Sequence, residues 1–365
     1  MAILIDCFNN KKVAITGHTG FKGSWLSAWS KQLNAEVLGI SDKIPTKPAH
    51  VSILEKAVDH DIRLDIRDHN EIVRSLNSFS PDFIFHLAAQ PIVFDAYEKP
   101  FNTFEINTMG TASVLEYLKQ ASNKCVAVFI TSDKCYDNVE WTYGYRESDR
   151  LGGKDPYSGS KGTAELVIKS YFESFISKLS PQIKLGIGRA GNVIGGGDWA
   201  PFRIVPDCVR SWSVNQKPEI RCPQATRPWQ HVLEPLSGYI SLAANLYNEH
   251  NLNGEAFNFG PPAAQNHSVK ELVEEIMIHW DGTGWIDRSE GNDMPAEAGL
   301  LKLCCDKALH QLRWKPTLNF QETAKWTADW YRTYYQSGKI DTGELTYLQI
   351  SEYMHLSQKR QTVKF

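Results

Sequence analysis

Residues 13–23 read Val13-Ala14-Ile15-Thr16-Gly17-His18-Thr19-Gly20-Phe21-Lys22-Gly23, and their reading decides the fold. A short run of β-branched and small residues, suited to a pleated and buried surface, runs into three glycines spaced three apart. The residues that follow, 24–33, carry apolar side chains at three- and four-residue spacing and predict a helix. Glycine lets the backbone come close to a pyrophosphate, and a helix N-terminus presents unpaired N–H groups at the positive end of its dipole. A glycine turn standing alone serves close packing equally well. The strand-turn-helix context favours a dinucleotide, so Gly17, Thr19, Gly20, Phe21, Lys22 and Gly23 are the expected cofactor loop.

Outward from that loop the same alternation repeats. Strand-like runs at 36–40, 61–65, 82–87, 126–131 and 183–189 are separated by helical patterns at 69–79, 101–120 and 158–179. This predicts an α/β fold, a doubly wound parallel Rossmann sheet whose ligands sit at the carboxyl ends of the strands. After Arg189 the texture turns to loops rich in Gly, Pro, Trp and Arg, with a strand at 256–259 and helices near 269–280 and 320–335. The expected division is a cofactor domain at 1–188 and a smaller substrate-binding lobe at 189–365, with the segment near 231–262 returning to the main sheet. Lys359, Arg360 and Lys364 read as a solvated tail.

Composition narrows the function classes. The chain has 365 residues, of which 42% are hydrophobic, enough for a large core. A net charge of -3, with both signs mixed, gives no field for coating nucleic acid or an anionic membrane. Seven cysteines without CxxC or Cys/His metal spacing predict a reduced, cytoplasmic protein with no structural metal. Residues 2–5 are too short for a signal segment, and no apolar run is long enough to span a bilayer.

The strand ends carry the candidate chemistry. Asp42 follows the second strand where an acidic residue would grip an adenosine ribose; it is equally readable as a solvated loop residue. Asp65 and Ile66 at the end of the third strand suit the adenine, although Asp65 could also be a capping residue. Leu87, Ala88 and Ala89 keep the chain small beside a cofactor or simply pack closely, and Gln90 next to them is a candidate substrate contact. Thr131-Ser132-Asp133-Lys134 closes the fifth strand, and Tyr157 and Lys161 stand one turn apart on the next helix. An ammonium on the same face lowers a phenol toward the phenolate that a general base needs. Further along, Arg189, Asn192, Arg203, Arg227 and His231 supply donors, with Trp199 and Trp229 as flat faces for a base; arginine pairs well with phosphate. His18, His86 and Cys135 read as packed residues.

TGHTGFKG, HLAAQP, TSDKCYDN, DPYSGSK, GRAGNVIGGGDW, RIVPD and RPWQHVLEPL together resemble the CDP-glucose 4,6-dehydratases of the extended short-chain dehydrogenase/reductase family, over about residues 12–316. The resemblance implies an NAD-holding Rossmann lobe and a second lobe for the nucleotide-diphosphate sugar, with CDP-glucose as the expected substrate. It implies that Tyr157 takes the proton of the sugar 4-hydroxyl, that Lys161 holds the nicotinamide ribose and that Ser132 sits near O4. Asp133 is then the expected acid at the C6 hydroxyl and Lys134 the base at C5, where dTDP-glucose dehydratases carry an Asp-Glu pair. Lys134 suits that work only if burial beside other cations lowers its pKa. Asn192, Arg203 and Arg227 would contact the sugar diphosphate. The resemblance also suggests a homodimer through the helices at 101–120 and 158–179, whose apolar faces a monomer would bury too. A nucleotide-sugar 4-epimerase shares the cofactor, Tyr157 and Lys161 but has no use for Asp133-Lys134, and a non-catalytic cofactor-bound regulator is at odds with an intact Tyr157-Lys161 pair.

Overall fold

The computed structural model describes residues 6–248, 251–280, 283–289, 300–337 and 339–361. Residues 2–5 and Lys364 lie outside them. Seven parallel strands form one sheet: β1 (Lys12–Thr16), β2 (Glu36–Ser41), β3 (His60–Arg63), β4 (Phe83–His86), β5 (Cys125–Ile130), β6 (Ile183–Ala190) and β7 (Ala256–Phe259), in the order β7-β6-β5-β4-β1-β2-β3. The order reverses between β1 and β4, and that crevice is where a doubly wound sheet receives its ligand. Val13, Ala14, Ile15, Phe83, Ile84, Phe85 and residues 125–129 are buried to 1% exposure or less, as strands covered on both faces must be.

The helices fall on the two faces. The chain runs through α1 (Phe21–Gln32), α2 (His69–Phe79), α3 (Gly110–Gln120), α4 (Pro156–Tyr171), α5 (Ile204–Trp212), α6 (Leu233–Tyr247), α7 (Val269–Trp280), α8 (Phe320–Gln336) and α9 (Lys339–Gln361). One core joins the side chains of Ile72, Leu76, Leu115 and Leu118 from α2 and α3 to Ile84, Ala127 and Leu185 of the sheet. The opposite core joins Trp25 and Trp29 of α1 with Leu236, Tyr239 and Leu242 of α6 and with Trp330 and Tyr353 of α8 and α9. The helical run at 101–120 is interrupted by a wide π turn, Glu105–Met109, and the one at 158–179 by another, Phe172–Ile176.

The sheet's last strand comes from late in the chain: β7 pairs in parallel with β6, with Phe257 opposite Gly188. The carboxyl-terminal region departs from the sequence reading. Instead of a solvated tail, α9 folds back onto α1. Arg360 donates to Glu322 at 2.6 and 2.8 Å and also to the Thr317 carbonyl. Gln32 of α1 donates to the Tyr347 carbonyl at 2.9 Å, and the buried His50 ring bridges Ser24 of α1 (2.8 Å) and Thr346 of α9 (3.1 Å). Among the described residues no helix is long and apolar enough to cross a membrane.

Candidate active site

The glycine turn is shaped for a close approach. Gly17 has φ +76°, a left-handed conformation that favours glycine. A β-carbon there would lie 2.7 Å from the amide nitrogen of Ala88. That amide donates to the Thr16 hydroxyl at 3.2 Å, so the turn and the end of β4 are stapled together. Gly23 is squeezed against the Gly17 carbonyl, leaving no room for a side chain. Gly20 caps α1 without any side-chain hydrogen bond, which leaves the first N–H groups of the helix facing outward. Thr19 donates through its hydroxyl to the Lys43 carbonyl at 2.7 Å and fixes the end of β2, where Asp42 is exposed.

Asp65 and Ile66 lie beyond the end of β3 at Arg63 rather than on the strand. Arg67 grips the Asp65 carboxylate with both its backbone and its guanidinium, holding it below the usual carboxylate range. Ile66 is 7% exposed and packs on Gly110 of α3. The backbone of Leu87 and Ala88 abuts Gly17, and Ala89 follows them. Gln90 is hydrogen-bonded within the chain: its amide nitrogen donates to Ile92 and Thr103, and its side-chain oxygen accepts from the Ile92 amide.

Across the crevice, Ser132 caps a single tight turn, Asp133–Cys135, directly after β5. Its hydroxyl accepts from the Lys134 amide at 3.2 Å and donates to Asp133 Oδ1 at 2.9 Å. Asp133 is 3% exposed, and its Oδ2, pressed against Gly191, has no hydrogen-bond partner. A buried carboxyl oxygen without a partner is costly unless a ligand completes it. Tyr157 and Lys161 stand in the first turns of α4, whose start is fixed by Pro156 and by the Asp155 cap that accepts from the Ser158 amide at 3.0 Å. Tyr157 and Lys161 are 9% and 7% exposed. Burial pushes the Tyr157 phenol up to about 12, opposed by a hydrogen bond with Ser132 and by Arg203, while burial pushes Lys161 down to about 8. The spacing predicts a phenol lowered by Lys161; instead loss of solvent sets the direction, and the groups that oppose it are Ser132 and Arg203.

The lysine set among cations is Lys22, itself half-buried. Burial together with Arg203 and Lys161 pushes it down to about 7, although Asp133 pulls the other way. Lys134 is half-buried as well and forms no ion pair with the described residues. Arg203 reaches this cluster from the loop before α5, held by the buried Asp198 at 2.7 Å. Asn192 is half-buried beside Gly191, next to Asp133.

Five residues expected to face the substrate are buried. Arg189 is 3% exposed and committed to Glu165 of α4. His231 has no exposed surface; it packs edge-on to Trp25 and Trp326, and burial pushes it down to about 3. Trp199 is 3% exposed among Trp330, Tyr331 and Tyr334. Trp229 is 7% exposed and donates to the His267 carbonyl. Arg227 is 9% exposed, its guanidinium donating to the Thr226 carbonyl at 2.8 Å. Sequence reasoning missed Asp198, which only its place after the glycine run signals, and Tyr239, a fully buried phenol with an unpartnered hydroxyl that feels the charges of Asp133 and Tyr157. Cys135 is buried and its thiol is pushed well up by desolvation, and His18 and His86 are buried in hydrogen-bonded positions.

A family model described as GDP-mannose 4,6 dehydratase matches residues 14–327. CDP-glucose 4,6-dehydratase of Salmonella typhimurium is 46% identical over 336 residues, 89% of this chain and 92% of the relative. Among solved structures, an epimerase of Methanothermobacter thermautotrophicus superposes with a TM-score of 0.78 at 21% identity, covering 92% of this chain and 96% of the other. A dTDP-glucose 4,6-dehydratase of Bacillus anthracis, in complex with NAD, does so with a TM-score of 0.74 at 19% identity, covering 90% and 99%. At these identities the superpositions establish the shared Rossmann fold.

Proposed function

The chain belongs to the GDP-mannose 4,6 dehydratase family, and from that premise we propose that it is an NAD-dependent sugar-nucleotide 4,6-dehydratase converting CDP-glucose to CDP-4-keto-6-deoxyglucose. The observation that carries this reading is the single turn Asp133–Cys135 beside Tyr157 and Lys161. It sets an acid-base pair beside an oxidation site, in a chain 46% identical to a CDP-glucose 4,6-dehydratase.

The cofactor loop fits a dinucleotide: Gly17 and Gly23 leave no room for a β-carbon, and the α1 N-terminus has no side chain capping it. Gly17, Thr19, Gly20, Phe21, Lys22 and Gly23 would hold the pyrophosphate, Asp42 the adenosine ribose, Asp65 and Ile66 the adenine, and Lys161 the nicotinamide ribose. NAD, held there, would supply the acceptor for a hydride from C4 and its donor to C6. Tyr157 accepts the proton of the 4-hydroxyl, its phenolate stabilised by Lys161, Ser132 and Arg203. The resulting 4-ketone acidifies C5, where Lys134 takes the proton, while Asp133 gives one to the departing C6 hydroxyl. Arg203 and Asn192 stand where a diphosphate or sugar would pass. A 4-epimerase would use Tyr157 and Lys161 but leave Asp133 and Lys134 without work.

The division into a cofactor domain at 1–188 and a substrate lobe at 189–365 belongs to the same proposal, as does pairing of two copies. Phe101, Met109 and Leu166 are 76%, 59% and 57% exposed on the helical faces that such pairing would cover. No disulfide joins any of the seven cysteines, in keeping with the reducing, cytoplasmic setting that belongs to this proposal.

The test gives purified protein NAD or NADP with CDP-, dTDP-, UDP- and GDP-glucose and follows the 4-keto product. The expected result is turnover of CDP-glucose with NAD, because the Asp42 carboxylate repels a 2′-phosphate. Preference for NADP would overturn the cofactor assignment, and absence of a keto product from every sugar would overturn the function.

A further inference from the structure

The catalytic groups sit on two separate pieces of chain, the turn after β5 and the start of α4. We propose that Glu165 and Arg189 are a positioning pair that locks these two pieces in register, an inference that rests on the dehydratase reading for its kinetic consequences.

Glu165 lies one helical turn beyond Lys161 and two beyond Tyr157, on the same face of α4. Its carboxylate is 2% exposed and takes a bidentate guanidinium from Arg189 of β6, with Nε at 2.8 and 3.0 Å and a further short contact from the terminal nitrogen. A buried ion pair is weak grounds for stability, since apolar replacements of the same volume are often neutral. What distinguishes this one is where its remaining hydrogen bonds go. Glu165 Oε1 accepts from the Thr131 hydroxyl at 2.6 Å, and Thr131 directly precedes Ser132. Arg189 donates to the Tyr136 hydroxyl at 2.7 Å, and Tyr136 directly follows Cys135. The pair therefore holds both ends of the segment carrying Ser132, Asp133 and Lys134, and it does so from the helix that carries Tyr157 and Lys161. Tyr136 passes the connection on to Asn258 of β7 at 2.8 Å, and Arg189 adds the Glu147 carbonyl at 3.1 Å.

The two halves of the site serve successive steps on one sugar. Tyr157 fixes where the 4-hydroxyl sits, and the turn must present Asp133 and Lys134 to C6 and C5 of the same ring. Misplacement by about 1 Å costs on the order of 100-fold in rate. Loosening the turn should therefore slow elimination more than oxidation.

Glu165→Gln would leave Arg189 as an uncompensated buried charge and could fail to fold. The ties are therefore cut one at a time, with Thr131→Val and Tyr136→Phe, which leave the ion pair intact. Amide hydrogen exchange of full-length protein without substrate should quicken in residues 132–136 of each variant, with α2 and β1 unchanged. Steady-state turnover of CDP-glucose should show kcat lowered about 10- to 100-fold at nearly unchanged KM, with reduced cofactor accumulating during the reaction. Thr131→Ser, which restores the hydroxyl, should recover most of the loss. Exchange and kcat equal to those of the parent protein in both variants would overturn the proposal. So would a loss that Thr131→Ser does not recover and that follows the melting temperature alone. If the parent protein makes no 4-keto product, the dehydratase reading fails, and the exchange comparison still decides whether the pair holds the turn.

Discussion

Tyr157→Phe is expected to lower C4 oxidation by about 100- to 10,000-fold while leaving the fold intact. The ring stays in its packed position, 9% exposed, and only the hydroxyl is lost. That hydroxyl is the group beside Ser132 at the carboxyl end of β5. Rapid mixing with CDP-glucose and NAD should show no burst of reduced nicotinamide absorbance. The pH dependence carries a sign as well. Burial pushes the phenol up to about 12, so oxidation by the unmodified chain should quicken as pH rises and Tyr157 is more readily ionised. The gain should flatten above about 8, where Lys161 loses the charge that steadies the phenolate. A Phe variant that oxidises substrate at the parental rate would remove Tyr157 from the chemistry.

Lys134→Met is expected to act one step later. The side chain is half-buried on the turn beside Asp133, and methionine keeps its length while removing the amine that takes the C5 proton. Oxidation at C4 needs Tyr157 and Lys161 and should proceed at close to the parental rate. Elimination should then slow by about 100-fold or more, so that reduced cofactor builds up in a single turnover instead of passing through a transient. Normal product formation by this variant would contradict the role of Lys134 and turn attention to Lys22, the lysine that burial and its cationic neighbours push down to about 7.

Much of this was legible because local chemistry is tied to local sequence. Val13, Ala14 and Ile15 are fully buried in the strand and so are apolar, and Gly17 must be glycine where φ is positive and Ala88 presses close. Tyr157 and Lys161 belong to one helix, so their spacing states their proximity. Contacts between distant segments were another matter. Nothing in the run around Lys359 and Arg360 announces Glu322 as a partner, and a charged helix folded back on α1 has the composition of a solvated tail. His231, Trp199 and Arg189 carry residue types that suit a ligand site equally well when they are packed away; burial separates the two cases, and burial is set by α6, α8 and α4 packing from elsewhere in the chain. For the same reason Lys22 was legible as part of the cofactor loop but not as a neighbour of Asp133 and Arg203.

In this reaction one hydride leaves C4 and returns at C6 of the same sugar. The measurement that tests this most directly uses CDP-glucose deuterated at C4, with the product read by mass spectrometry and proton NMR. The account predicts a 6-deoxy-4-keto sugar carrying that deuterium at C6, and unlabelled substrate turned over in heavy water should gain a solvent deuteron at C5. Deuterium retained at C4 with the C6 hydroxyl intact would contradict the account and indicate an epimerase; deuterium released on free reduced cofactor would contradict it and indicate a net dehydrogenase.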